Sequence, residues 1–206
     1  MRVTLLGEGQ AELEEKRSVF IGYAVPVSNE EEALAVVARR KEKYSDATHN
    51  VWAYYLNGGA HARCSDDGEP QGTAGAPLLN VLKMSGATDM CVVVTRYFGG
   101  TLLGAGGLIR AYTASAKSAL DAAGFAEMRD YNLYRITVGY SDYQRLTVQL
   151  KSLGAQEDGA DFGAEVSVQA AIEASRSSEL EQLVRELTGG KGICTLLGCA
   201  ERPHLI

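Results

Sequence analysis

The sequence predicts an α+β protein of two domains, residues 1–127 and 128–206. Three observations predict it. The run M-C-V-V-V-T at residues 90–95 is continuously apolar, as expected of a central strand buried on both faces. Around residues 124–130 the pattern changes. From there the chain reads strand, helix, strand, strand, helix, strand, which is the ferredoxin-like order. With 206 residues and a 46% hydrophobic fraction, the chain can bury a real core and global disorder is ruled out.

In chain order, residues 3–6 and 13–27 read as two strands, with Lys16, Arg17, Ser18 and Phe20 at the centre of the second. Ser28 is placed to cap a helix and Glu31 to complete a capping box, while Glu30–Glu32 suit the positive helix end. Leu34, Val37 and Ala38 give that helix its apolar stripe, and the cations of 39–43 complement its macrodipole on a solvated face. Residues 50–56 are rich in Tyr, Trp and Val and read as a strand. Residues 77–84 read as a helix with Pro77 in its first turn and Gly86 at its end. After the apolar strand of residues 89–97 comes a glycine-rich turn. A helix over 108–123 follows, with Leu108, Tyr112, Ala116, Ala119, Leu120 and Ala123 as a small-residue packing face.

In the second half, Leu133, Tyr134, Ile136 and Val138 mark a strand over 131–139. Asp142 opens a helix that turns Tyr143, Leu146, Leu150 and Leu153 inward. Residues 155–162 form a poorer strand. Val166, Val168, Ala170 and Ile172 recur at period two in the next one. A helix over 178–187 buries Leu180, Leu183, Val184 and Leu187 and stops at Gly189-Gly190, and 193–200 is the last strand.

The net charge is −6 and the pI about 5.2. Residues 1–127 hold 12 basic and 15 acidic residues and 128–206 hold 8 and 11, so each half carries −3. Neither half is a basic module, and any RNA contact has to rest on a local patch. No apolar run is long enough to span a membrane and 3–6 is too short for a signal peptide, so the reading is cytoplasmic with no membrane partner. Cys91 reads as a buried small hydrophobe. Cys64, Cys194 and Cys199 make neither a C-x-x-C pair nor, with His204, a zinc tetrad, so structural thiols are expected. No metal site is assigned, and no residue pattern identifies a cofactor.

Two segments carry the candidate chemistry. Residues 64–77 read C-S-D-D-G-E-P-Q-G-T-A-G-A-P. Gly permits positive φ and Pro fixes φ, so this is a fixed loop rather than a linker. Asp66 and Asp67 are oxygen ligands of the kind Mg²⁺ takes beside a phosphate, or else turn caps; capping is favoured for Asp67, next to Gly68. Glu69 is read as the freer carboxylate, and Thr73 as a donor to a ligand or a helix cap. The second segment, from Arg96 to Tyr112, contains Tyr97 and glycines 99, 100, 104, 106 and 107, and leads into a helix. Such a turn aims backbone N–H groups at an anion, and Arg96 and Arg110 flank it as phosphate contacts. The pattern is neither a Walker A loop nor G-x-G-x-x-G. The competing reading is that the glycines let a helix approach the sheet. The two segments are expected to face each other, with Asp66, Glu69 and Arg96 close together. Alanine at Glu69 or Arg96 is then expected to impair binding and spare the fold.

These residues resemble a known family. S-D-D-G-E-P-x-G-T-A-G-x-P at 65–77 and R-Y-F-G-G-x-x-L-G-x-G-G-L at 96–108 are similar to the signatures of the IMPACT/YigZ family, as are R-S-x-F at 17–20 and His49. The resemblance implies an N-terminal fold like domain IV of elongation factor G, shared with a ribosomal protein and GHMP kinases. It also implies a C-terminal domain like domain V of that factor. Eukaryotic relatives regulate translation through an activator of a starvation-responsive kinase, and carry an extra N-terminal domain that this chain is expected to lack. The expected function is therefore a translation-linked regulator that binds RNA, the ribosome or a translation-associated protein through the glycine-rich loops. The alternative is a nucleotide- or phosphate-binding enzyme using the same loops. Whether it catalyses anything stays open, because Cys64, Asp66 and His49 form no recognised nucleophile arrangement.

Overall fold

A computed structural model of the chain describes residues 2–205. It divides into two compact units, one running to Met128 and including the segment from Pro203, the other Arg129–Arg202. The protein is α+β in both.

The first unit has strands β1 (Arg2–Leu5), β2 (Gly9–Glu15), β3 (Ser18–Pro26), β4 (His49–Leu56), β5 (His61–Ser65) and β6 (Met90–Tyr97), and helices α1 (Glu30–Lys43), α2 (Gly75–Met84) and α3 (Gly104–Ala123). Five strands form one sheet in the order β2-β3-β6-β4-β5, every neighbouring pair antiparallel. β6 is the middle strand, and alternation along it serves two cores. Cys91 and Val93 pack in the layer that holds Ala33, Val36 and Val37 of α1. Val92 and Val94 pack in the layer of Leu78 and Leu82 of α2 and Leu108 and Tyr112 of α3. Helices on both faces explain why the run carries no polar alternation. Burial pushes the Cys91 thiol up to about 12, consistent with an inert small hydrophobe.

Four expectations for this unit are corrected. Residues 13–27 are not one strand. Lys16 and Arg17 form the two-residue turn between β2 and β3, both with positive φ (47° and 68°), and the chain reverses there. The helix cap is Asn29, not Ser28: Asn29 Oδ1 accepts from Glu32 N at 2.8 Å, and Glu32 Oε2 accepts from Ser28 N at 2.8 Å. The apolar stripe shifts with it, so Leu34 and Ala38 are exposed while Ala33, Val36 and Val37 are buried. Finally, Arg40 is not on a solvated face. It is buried, with its guanidinium over the rings of Tyr23 (4.3 Å) and Tyr44 (4.6 Å).

The second unit contains the greater part of β7 (Phe125–Val138), then α4 (Tyr140–Ser152), β8 (Gln156–Phe162), β9 (Val166–Glu173), α5 (Ser177–Leu187) and most of β10 (Ile193–Leu205). Its sheet places β9 between β7 and β8, and β10 also pairs β7. That is the ferredoxin-like order predicted from the sequence. Ile136, Val138, Leu146, Leu150, Val166, Val168, Ile172, Leu180 and Val184 make its core. Residues 125–130 are extended strand, with Phe125–Met128 paired to β1 and Tyr131–Val138 to β9.

Candidate functional site

The site starts as one row across three strands. In register, Phe20 of β3 faces Arg96 of β6, and Arg96 faces His49 of β4. Cross-strand partners share a face, so the three side chains lie together at one end of the sheet. The 64–77 loop closes over this row. Glu69 Oε1 accepts from Arg96 Nη1 at 2.6 Å and from the Tyr112 hydroxyl of α3 at 2.7 Å. His49 Nε2 is 3.8 Å away from the same oxygen. Glu69 and Arg96 are 7% and 5% exposed, so this is a buried ion pair. The guanidinium packs over the rings of Phe20 (5.3 Å) and Phe98 (5.5 Å), and its Nη2 donates to Ser18 Oγ at 3.2 Å. Arg96 Nε is buried without a hydrogen-bond partner. Burial, then the negative charge of Glu69, holds the Tyr112 hydroxyl protonated well above the ordinary tyrosine range.

The loop residues make hydrogen bonds within the fold. Asp66 Oδ2 accepts from Gly72 N (2.9 Å), and Oδ1 from Ala74 N (3.1 Å) and Gly75 N (2.8 Å), so it caps α2. Asp67 has positive φ (46°). Its carboxylate accepts from Asn50 N at 2.7 Å and pairs with Lys41. The Asp67 carbonyl accepts from His49 Nδ1 at 2.8 Å, which fixes that nitrogen as the protonated one. Thr73 donates to Pro70 O at 2.6 Å within its own turn rather than to the N-terminus of α2. Glu69 is thus not the free carboxylate the composition suggests. The two segments do meet, through Glu69 and Arg96, but Asp66 is turned to backbone N–H groups rather than to the arginine. Among the described residues no cluster of His, Cys, Asp and Glu could hold a metal ion.

Burial raises the cost of ionising Asp66, but its three N–H donors outweigh that and lower its carboxyl pKa. A lowered folded value stabilises the fold above the unfolded carboxyl range and loses that stability as pH falls. Asp66→Asn should therefore melt lower than the parent at pH 7, with Asp66→Ala costing about 1–2 kcal/mol. The gap between parent and Asp66→Asn should begin to narrow below about pH 4 and go on narrowing as pH falls through the lowered folded value. Melting curves from pH 3 to 7 check this, and a pH-independent gap would refute it.

What the second segment exposes is different. Helix α3 begins at Gly104, not near Leu108, so Gly104, Gly106 and Gly107 are its first turn, with no side-chain cap over their N–H groups. Gly104 and Gly106 are exposed, as is Arg110 one turn on. A Cβ on Gly100 or Gly104 would meet open space, whereas one on Gly99 would lie 2.0 Å from the Arg17 carbonyl. Gly99 therefore presses the loop against the β2–β3 turn, and its N–H donates to Ser18 Oγ at 3.2 Å. Lys16 and Arg17 at that turn are exposed, as are Phe98 (45%) and Leu102 (83%). Tyr97 donates to Asp46 Oδ1 at 2.8 Å. Reading the sequence alone missed Ser18 and Tyr112 as members of the cluster, and Lys16, Arg17 and Phe98 as its exposed rim. The R-S-x-F run was the available signal for the first and for Arg17. A cavity of about 830 Å³ lies elsewhere in the first unit, lined by Arg2, Pro26, Asn29, His61 and Asp89 among others.

Comparison with known proteins adds the following. Residues 16–120 match the family model described as Impact N-terminal domain, and 136–191 match a domain of unknown function (DUF1949). The chain is 35% identical over 189 residues to the IMPACT family member YvyE of Bacillus subtilis, covering 91% of this chain and 87% of that protein. It is 33% identical over 182 residues to the IMPACT family member YigZ of Escherichia coli, 85% and 87% covered. To Protein IMPACT of Bos taurus it is 35% identical over 96 residues, 44% of this chain and 30% of that one. A solved structure titled as a hypothetical protein superposes with a TM-score of 0.58 at 27% identity, over 96% of this chain and 97% of that one.

Proposed function

The chain belongs to the IMPACT family, and from that premise we propose that it is a translation-linked binding protein whose first unit takes single-stranded RNA on the rim of the Glu69–Arg96 cluster. The observation that carries this reading is the division of labour in the site. Asp66, Asp67 and Glu69 are all engaged internally, while Lys16, Arg17, Phe98, Arg110 and the uncapped start of α3 face outward. Cations and helix N–H groups suit phosphates, and an exposed aromatic ring suits an unstacked base. The buried ion pair then serves as scaffold, fixing Phe98 and the loop behind it. Regulation of translation is the family-level expectation this binding would serve. No helix among the described residues is long and apolar enough to cross a membrane.

Three cationic side chains give a modest salt dependence despite the net charge of −6. For single strands a slope near −0.7 per phosphate contact makes affinity fall about twentyfold between about 50 and 200 mM salt. Fluorescence anisotropy with a labelled oligoribonucleotide measures it. Charge reversal at Lys16, Arg17 and Arg110 together should abolish the binding, and Phe98→Ala should weaken it by about 1–3 kcal/mol. No binding at 50 mM salt, or binding indifferent to the triple reversal, would refute the proposal.

A further inference from the structure

The first unit buries two arginines, and they are matched differently. Arg96 has Glu69. Arg40, in the last turn of α1, is 7% exposed, and no carboxylate among the described residues pairs with it. Its Nη1 donates to Gln10 Oε1 at 3.1 Å, while Nε and Nη2 are buried without a partner. Arginine is rarely buried unless paired, and buried donors left unmade are costly. The macrodipole of α1 does not account for them, since neither nitrogen donates to a carbonyl of the helix end. The rings of Tyr23 and Tyr44 lie over the guanidinium and hold its plane. Nε and Nη2 then form one edge, the fork that takes two oxygens of an oxyanion. Arg40 lines a cavity of about 480 Å³ together with Glu8, Gln10, Tyr23, Arg39 and Lys43. Glu8 is engaged by the Tyr23 hydroxyl, and Arg39 and Lys43 are exposed. Three cations to one carboxylate reverses the balance of the whole chain, whose net charge is −6.

We propose that this cavity binds the phosphate group of a small phosphate monoester, held by the Nε–Nη2 edge of Arg40 with Arg39 and Lys43 beside it. Charge selects the anion. Three cations against Glu8 leave two positive charges, and a phosphate monoester carries about −1.5 to −2 near pH 7. A carboxylate would leave one of those charges unmatched. Gln10 is exposed, and its neutral amide oxygen is a weaker acceptor than a charged one, so it gives way as the anion enters. A cavity of about 480 Å³ is within the range of small-molecule sites and leaves room for the group that carries the phosphate. The site is on the α1 face of the sheet, where Tyr23 packs in the layer of Val36. The Glu69–Arg96 cluster is on the other face, with Phe20 and Tyr112. Phosphate binding here is therefore separate from the RNA rim and does not depend on it.

Thermal melts of the full chain with inorganic phosphate test this, with chloride holding the ionic strength constant. A ligand of about five heavy atoms binds weakly, so phosphate is titrated from about 0.1 to about 50 mM. At about ten times its dissociation constant it should raise the melting temperature by about 3–8 °C. Sulfate, also a tetrahedral dianion, should reproduce most of the shift, and acetate should not. Arg39→Ala with Lys43→Ala changes exposed residues only and should raise the dissociation constant for phosphate about tenfold or more. Arg40→Lys keeps the charge without the fork and should weaken phosphate likewise. Circular dichroism checks that each variant folds, and if Arg40→Lys does not, the exposed pair decides alone. The triple reversal at Lys16, Arg17 and Arg110 should leave the phosphate shift intact. No shift beyond the chloride control would overturn the proposal. So would a shift matched by acetate, or one unmoved by the Arg39 and Lys43 changes. A shift lost with the triple reversal would place the anion at the RNA rim and overturn it as well.

Discussion

Replacing Arg96 with alanine is expected to cost the first unit about 3–5 kcal/mol, because it leaves the Glu69 carboxylate buried with its cation gone. Glu69→Ala should cost a similar amount for the mirror-image reason, since the guanidinium already has a buried Nε without a partner. Set against a typical domain stability of about 5–15 kcal/mol, either change removes a large share. The melting temperature should fall by roughly 10–20 °C. Tyr112→Phe removes one hydrogen bond to the same oxygen and should cost less, about 1–2 kcal/mol. The double variant Glu69→Ala with Arg96→Ala leaves no buried charge behind. Its loss should fall short of the sum of the two singles by about 0.5–3 kcal/mol, the coupling expected of contacting residues. Urea melts of the four variants measure all of this. Single-variant losses under about 0.5 kcal/mol would mean that the pair behaves as an exposed one.

That outcome reverses what composition alone suggests, and the reversal shows where the sequence stops informing. Glutamate is rarely buried unless paired, so Glu69 among glycines and prolines reads as an exposed ligand. Its partners Arg96 and Tyr112 lie 27 and 43 residues away, and no local pattern links them. The β2–β3 turn was hidden for a different reason. Two-residue hairpin turns announce themselves with Asn or Gly, whereas Lys16 and Arg17 hold positive φ without either. Where apolar periodicity was unambiguous, the reading held. β6, the buried face of α3, and the strand–helix order of the second unit are all set by side-chain spacing alone. The start of α1 slipped by a residue because Ser28 and Asn29 are both good caps, and only the fold decides between them. The glycines of 99–107 were legible as constrained, but not as serving two purposes.

Those two purposes separate in the second large expected effect. Gly99→Ala should destabilise the first unit by about 3 kcal/mol and weaken RNA binding as well, whereas Gly106→Ala should do neither. A Cβ at Gly99 would sit 2.0 Å from both the carbonyl carbon and oxygen of Arg17 and 2.5 Å from Ser18 N. These are backbone atoms of the β2–β3 turn and of the first residue of β3, so no side-chain rotation relieves the overlap. The loop has to lift off the turn, which breaks the Gly99 bond to Ser18 and loosens the support Ser18 gives Arg96. Lys16 and Arg17 then part from Phe98, and the rim loses its shape. At Gly106 the nearest atom to an added Cβ is Arg110 Nη1 at 3.6 Å, the far end of a flexible side chain. Alanine there also improves helix propensity by up to about 1 kcal/mol, so the melting temperature should hold or rise. Melts and anisotropy titrations on both variants decide the matter. A Gly99→Ala protein that melts like the parent would show that the turn and loop are not in fixed contact. A folded Gly99→Ala protein with undiminished RNA affinity would show that the rim does not need that contact to bind.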